Sequence, residues 1–448
     1  MQTLTQAAAS LEAGRTTARK LVEACLAAIE APGGEGARTF VRVYADQARA
    51  SADAMDTLRR VGREPSPYAG IPVSLKDLFD VRGEVTAAAS KVLAGAKPAT
   101  RNAAVVDRLL AAGFVPVGRT NMTEFAFSGI GINPHHGTPS SPWERSKDGG
   151  RIPGGSSSGA AVSVADGMAL AALGTDTGGS CRIPAAFCGV VGYKPTARRI
   201  PLDGALPLSP SLDSIGPLAP SVGCCSIIDA VLAGEAPGPV RPMQLRGLRL
   251  AVPGNFVMDG VEPAVAEAFG RALNRLDNLG VRVTHLAFPQ FERIAAANAT
   301  GGFAAAEAHA YHRAFLADQA EAYDPRVRAR IERGGEMTAG EYIALRAARA
   351  AIIAGMDEAT QPFDAVVMPT TPVIAPRIDS LGDDADFVRA NMLILRNPSL
   401  ANFLDRCSVS LPAHRSGEAP VGFMLMGETG GDARLFRIAA ALEPILKE

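Results

Sequence analysis

The sequence predicts an α/β fold: one large domain in which a central mixed β-sheet is covered by helices on both faces. Three observations lead there. Strand-like and helix-like periods alternate in both halves of the chain. The late strands, expected at 365–368, 408–411 and 421–426, are apolar on both faces, as central strands of a covered sheet are. No internal repeat of 20 to 50 residues is visible, and 448 residues can bury a sizeable core. A single sheet completed by both halves therefore accounts for the pattern better than two independent domains.

Taken in order, residues 3–13 and 17–31 carry Leu, Ala and Val at helical spacing, with Thr16 or Thr17 as N-cap of the second helix, and a third helix is expected at 46–60. A short β-rich run at 69–77 delivers Lys76 to the interior side of the fold. Thr100 is expected to cap a helix through 112, and a strand follows at 114–118. From 127 to 154 the chain is dense in Gly, Pro, Ser and Asn, and a loop this long either binds something or is disordered; because it leads into the first serine turn, 127–133 is read as a substrate-contacting wall, with a simple surface connection as the alternative. An Ala/Val/Leu-rich run within 151–196 fits a helix and a buried strand. Residues 212–219 read as extended, Ser221 caps a helix through 232, and 234–242 is the clearest linker. Beyond it come a strand at 248–252, a helix at 263–279, a strand at 281–286, helices at 293–316, 339–356 and 386–394, and a last helix from 433.

Composition narrows the function. Lys and Arg number 45 against 46 Asp and Glu, a formal charge of -1, which gives no basic stripe for nucleic acid or an anionic membrane surface. The expected partner is a small molecule. The six cysteines fall in no spacing that suggests zinc or redox work and read as reduced core residues. No apolar run approaches the roughly 20 residues that span a bilayer, and the start of the chain lacks a secretion-signal layout, so a soluble, cytoplasmic protein is expected.

The chemistry concentrates in residues 151–196. Two serine-bearing glycine turns, Gly154-Gly155-Ser156-Ser157-Ser158-Gly159 and Asp176-Thr177-Gly178-Gly179-Ser180, let backbone approach a substrate and let successive N–H groups converge as an oxyanion hole does. A serine hydroxyl is a poor nucleophile until a base takes its proton. The six histidines lie outside both turns, and the His309/His312 pair lacks the i, i+4 spacing of a helical zinc site. Lysine remains, provided burial holds it neutral below its ordinary pKa of about 10.4. Lys76, on its apolar strand, is the best placed. Asp176 and Arg182 are expected to pair and hold the second turn, and Cys181 reads as a small buried apolar residue.

These two turns, with Cys181-Arg182-Ile183-Pro184-Ala185-Ala186 and Gly192-Tyr193-Lys194-Pro195-Thr196, resemble the amidase signature family. Gly70-Ile71-Pro72-Val73-Ser74-Leu75-Lys76-Asp77 is similar to that family's lysine motif, and Asn121-Met122-Thr123-Glu124-Phe125-Ala126 and Ser214-Ile215-Gly216-Pro217-Leu218 match further segments. The resemblance implies the amidase signature fold over 1–448, with 1–235 as the catalytic core and 236–448 as a divergent part completing the sheet and pocket. It implies a Ser-cisSer-Lys triad: Ser180 as nucleophile, Ser156 after a cis Gly155–Ser156 bond as relay, Lys76 as base. Thr177, Gly178, Gly179 and Ser180 would supply oxyanion N–H groups; the loop reading, independently of the family, puts Phe127, Ser128, Gly129 and Ile130 against the substrate. The implied activity is hydrolysis of a small carboxylic amide to acid and ammonia or amine, without metal or cofactor. A homodimer is left open.

Three other readings fit parts of the pattern. The A-type component of an aminoacyl-tRNA amidotransferase would share the triad but act with partner chains. Gly155-Ser156-Ser157-Ser158-Gly159 also matches the G-x-S-x-G elbow of an α/β-hydrolase-like esterase, centred on Ser157, although no clear strand precedes it. A phosphate cradle lacks the Lys and Ser/Thr that follow the glycines of a P-loop.

Overall fold

The computed structural model describes residues 1–145 and 149–447. Of the loop expected at 127–154, residues 146–148 lie outside the described residues. Among the described residues eleven strands form one mixed sheet: β1 (Phe40–Val43), β2 (Pro72–Lys76), β3 (Val115–Thr120), β4 (Ala171–Thr175), β5 (Val191–Lys194), β6 (Ile215–Ala219), β7 (Arg249–Pro253), β8 (Arg282–Leu286), β9 (Ala365–Pro369), β10 (Ser408–Pro412) and β11 (Gly422–Met426). Their spatial order is β1-β3-β2-β4-β6-β5-β10-β11-β9-β7-β8. The first six strands occupy one side and the last five the other. They join where β5 pairs antiparallel with β10, Tyr193 opposite Val409. This is the single sheet that both halves were expected to complete.

Strand alternation sorts the two faces. Val73, Leu75, Leu173, Val409 and Leu411 enter a large core with helices Leu4–Glu12, Ala18–Ile29, Val222–Ala233 and Asp432–Leu446. The opposite face carries polar groups among its apolar ones. Ser74 meets Ser163 of helix Ser158–Ala165 at 2.9 Å, and Ser410 meets Thr370 at 2.6 Å. Lys76, two residues from Ser74, shares that second face. Neighbouring parts of it are apolar, with Ala172, Leu218, Ala160 and Ala185 in one cluster and Val366, Met368, Met424 and Phe403 in another.

Thr17 and Ser221 cap their helices as expected, accepting from the N–H groups of Lys20 and Cys224. Thr100 does not. The next helix starts at Ala104, because backbone from other segments takes its leading donors: Ala103 N–H donates to Asp80 O and Ala104 N–H to Asp203 O. The helix expected at 293–316 is two, Pro289–Ala297 and Gly302–Gln319, broken at Gly301, whose φ of 103° lies outside the helical range. Strands β1 and β5 and the helices Arg182–Cys188 and Pro325–Glu332 were not foreseen. Four residues of strand or two turns of helix hold too few periods to read.

Candidate active site

Lys76 ends β2, fully buried, with Nζ 2.7 Å from Ser156 Oγ and 2.7 Å from Thr175 Oγ1. Burial draws its pKa down to about 7, although the negative charges of Asp176 and Asp213 oppose the shift. As an ammonium it donates to both hydroxyls. As a neutral amine it keeps two N–H donors and gains a lone pair that Ser156 can donate to.

Ser156 follows a cis peptide bond from Gly155, as the resemblance implied. Neighbours leave no room for a side chain at Gly155: an added Cβ would lie 2.7 Å from Thr123 Oγ1 and 2.7 Å from Gly131 N. Its N–H donates to Gly129 O at 2.8 Å, and Ser156 O accepts from Thr123 N–H at 3.1 Å. The two serine turns meet through Ser157 N–H, which donates to Ser180 O at 3.3 Å. Ser180 is 4% exposed, and its hydroxyl has no hydrogen-bond partner among the described residues. Ser157 is buried with Oγ donating to Thr175 O at 3.2 Å, a bond that closes the turn onto β4.

Asp176 organises the second turn. Its carboxylate forms a fully buried pair with Arg182 at 2.8 Å, the pairing expected from sequence, and accepts from Gly179 N–H at 2.8 Å and Cys181 N–H at 3.1 Å. Burial alone would raise its pKa; the Arg182 charge and hydrogen bonds overcome that and hold it well below the usual carboxylate range. One expectation is corrected here. Gly179 N–H is committed to Asp176 Oδ1, so among the described residues only the N–H groups of Thr177, Gly178 and Ser180 remain unpaired within the turn. Gly179 instead supplies conformation: its φ is 127°, and a Cβ there would lie 2.7 Å from Pro398 and from Ile183. Cys181 is buried, and burial pushes its thiol well above the usual range.

Residues 127–130 lie beside the relay turn. Gly129 O holds Gly155, while Gly129 N–H and Ser128 Oγ–H both donate to Asn391 Oδ1 at 2.9 and 3.0 Å. Ile130 faces away, into a cluster with Ile152, Ile183 and Phe187. Phe127 stacks under the guanidinium of Arg330, 4.6 Å from the ring centroid. Arg330 has no acidic partner among the described residues, and burial draws its pKa down to about 10.

Four contributors were not foreseen from the sequence. Thr175 closes the contacts of Lys76. Asn402 donates to Asp176 at 3.0 Å and accepts from Arg182 at 2.7 Å. Asn391 and Arg330 join them from the second half of the chain. Thr175 sits inside a glycine motif that was read; the other three lie in sequence with no local signature.

The histidines lie elsewhere. His135 contacts the buried Glu124 at 2.8 Å, and His312 packs on Phe125 and Tyr323. Among the described residues no helix is long and apolar enough to cross a membrane.

A family model described as Amidase matches residues 20–436. A protein from Comamonas testosteroni described as 2-amino-5-chloromuconic acid deaminase is 37% identical, over 89% of this chain and 87% of its own. The A-type component of the glutamyl-tRNA(Gln) amidotransferase of Anaeromyxobacter sp. (strain K) is 36% identical, over 98% of this chain and 95% of its own. A crystal structure described as that of an amidase superposes with a TM-score of 0.89 at 33% identity, covering 99% of this chain and 100% of the other.

Proposed function

The chain belongs to the amidase family, and from that premise we propose that it hydrolyses a small carboxylic amide through an acyl-enzyme on Ser180. The observation that carries this reading is a buried Lys76 whose pKa falls near 7 and whose Nζ lies 2.7 Å from Ser156 Oγ. Neutral Lys76 takes the Ser156 proton as Ser156 takes that of Ser180, and the Ser180 oxygen attacks the amide carbonyl. The N–H groups of Thr177, Gly178 and Ser180 receive the oxyanion, each such donor being worth about 3 to 4 kcal/mol. The proton returns through Ser156 to the departing ammonia or amine, and water then releases the acid along the same relay. Residues 1–235 act as the catalytic core and 236–448 complete the sheet and the pocket.

Arg330, which sits above Phe127 with no acidic partner among the described residues, is read as the receptor for a negatively charged group on the substrate. The relative described as a muconic acid deaminase is consistent with an acid-bearing substrate and with loss of an amino group.

A second reading is favoured by the near full-length likeness to amidotransferase components of the A type: a chain that uses the same triad inside a complex. Assaying the isolated chain on a panel of amides separates the two. Turnover, with a serine-reactive fluorophosphonate labelling Ser180 in the wild type and not in Ser180→Ala, supports the free hydrolase. Labelling without turnover of any amide supports the amidotransferase component. Absence of labelling rejects both.

A further inference from the structure

Next to the triad lies a cavity of about 180 Å³ that the proposed chemistry leaves unused. Its walls are apolar: Leu78, Ala126, Leu202, Ala205, Leu206 and Leu208. Three polar residues complete it, and each is already engaged. Thr175 Oγ1 accepts from Lys76, Thr177 Oγ1–H donates to Asp213 Oδ1 at 2.6 Å, and Asp213 Oδ2 accepts from Leu208 and Ser209 N–H at 3.1 and 3.0 Å. Each of these side chains already has a partner in the protein, and a ligand carboxylate would meet the Asp213 carboxyl. Hydrogen bonds brace the walls. Leu206 N–H donates to Leu78 O and Asp80 N–H to Gly204 O, while Glu307 accepts from Ser209 Oγ and Ser211 N–H at 2.7 and 3.0 Å.

Position ties the cavity to the chemistry. Thr175 holds the amine of Lys76, and Thr177, three residues before Ser180, has an N–H with no partner among the described residues. Ala126 adjoins Phe127, over which Arg330 sits. Size sets the occupant, since an apolar cavity of about 150 Å³ accepts benzene.

We propose that this cavity is the subsite for an uncharged apolar ring on the substrate, so that the amides turned over best carry an aryl or cycloalkyl group beside the reacting carbonyl. This rests on the amidase reading above, and the experiment separates the two. In the wild type, kcat/KM for benzamide should exceed that for acetamide by on the order of a hundredfold. Ala205→Phe, which fills the cavity, should raise KM for benzamide at least about tenfold and leave acetamide within about twofold. Leu206→Ala removes atoms instead of adding them and should extend turnover to naphthalene-sized amides. Equal losses on both substrates in Ala205→Phe, or a wild-type preference for acetamide, overturns the proposal. Benzamide binding to Ser180→Ala, measured by equilibrium dialysis, reads the subsite without turnover. If the wild type hydrolyses nothing but that binding is abolished by adding Ala205→Phe, the subsite stands and the hydrolase reading falls. If benzamide does not bind Ser180→Ala, the subsite falls.

Discussion

Replacing Lys76 by methionine converts the claim of a neutral buried amine into a measurement of stability. Burial lowers the pKa of Lys76 from 10.5 to about 7. At 1.36 kcal/mol for each tenfold change, the folded state resists protonation of this group by about 5 kcal/mol relative to the unfolded chain. The sign follows from proton counting. Between pH 7 and 10.5 the unfolded chain holds a proton on Lys76 that the folded protein does not, so wild-type stability rises with pH across that window. Below pH 7 the whole penalty is present. Methionine fills similar volume with nothing to titrate, so the stability of Lys76→Met minus that of wild type should shrink by about 3 to 4 kcal/mol between pH 7 and pH 10. The lost contacts to Ser156 and Thr175 shift the two curves by a constant. Lys194, also buried with a pKa drawn down to about 8, is present in both proteins and cancels. Urea unfolding of the two proteins at each pH, followed by circular dichroism, measures the gap. Parallel curves would mean that Lys76 is charged in the fold, and the proton route from Ser156 would have no base at its end. In the same picture wild-type kcat/KM climbs about tenfold per pH unit up to about pH 7 and levels off above it, whereas a profile peaking below pH 6 contradicts it.

Ser180→Ala should abolish turnover with folding intact, and Ser156→Ala should be less severe because water can stand in for part of the bridge; steady-state rates on one amide rank them, and the reverse order removes the relay. Asp176→Asn leaves Arg182 buried without its counter-charge and should cost about 3 to 5 kcal/mol in denaturant unfolding; a loss under about 1 kcal/mol would show that Asn402 alone holds the turn. Arg330→Met keeps a cover over Phe127 and removes the charge, so KM should rise for amides that also carry a carboxylate and stay within about twofold for neutral ones. A uniform rise would assign Arg330 to packing.

How much of this could be read from residues alone depended on the distance over which each feature is encoded. The glycine turns, the lysine at the end of β2 and the alternation of the late strands are local, because backbone conformation and side-chain period are set by neighbours within a few residues. Hence the mixed sheet and a buried lysine at position 76 could be read from the residues, while the roles of Ser156 and Ser180 came from the resemblance of the two serine turns to the amidase signature family. Gly179 illustrates the limit. Its membership of the turn was legible, but whether its N–H faces a substrate or the Asp176 carboxylate depends on a carboxylate orientation fixed by Arg182 and by Asn402, 226 residues away from Asp176. Arg330, Asn391 and the cavity under Leu206 belong to the same class. Each acquires its role from a partner distant in sequence, and a single chain carries no periodic signal for such pairings. The chain alone determined which groups could do chemistry; packing decided which of their donors, charges and surfaces are left free to do it, since a polar group's availability is whatever its neighbours have not already satisfied.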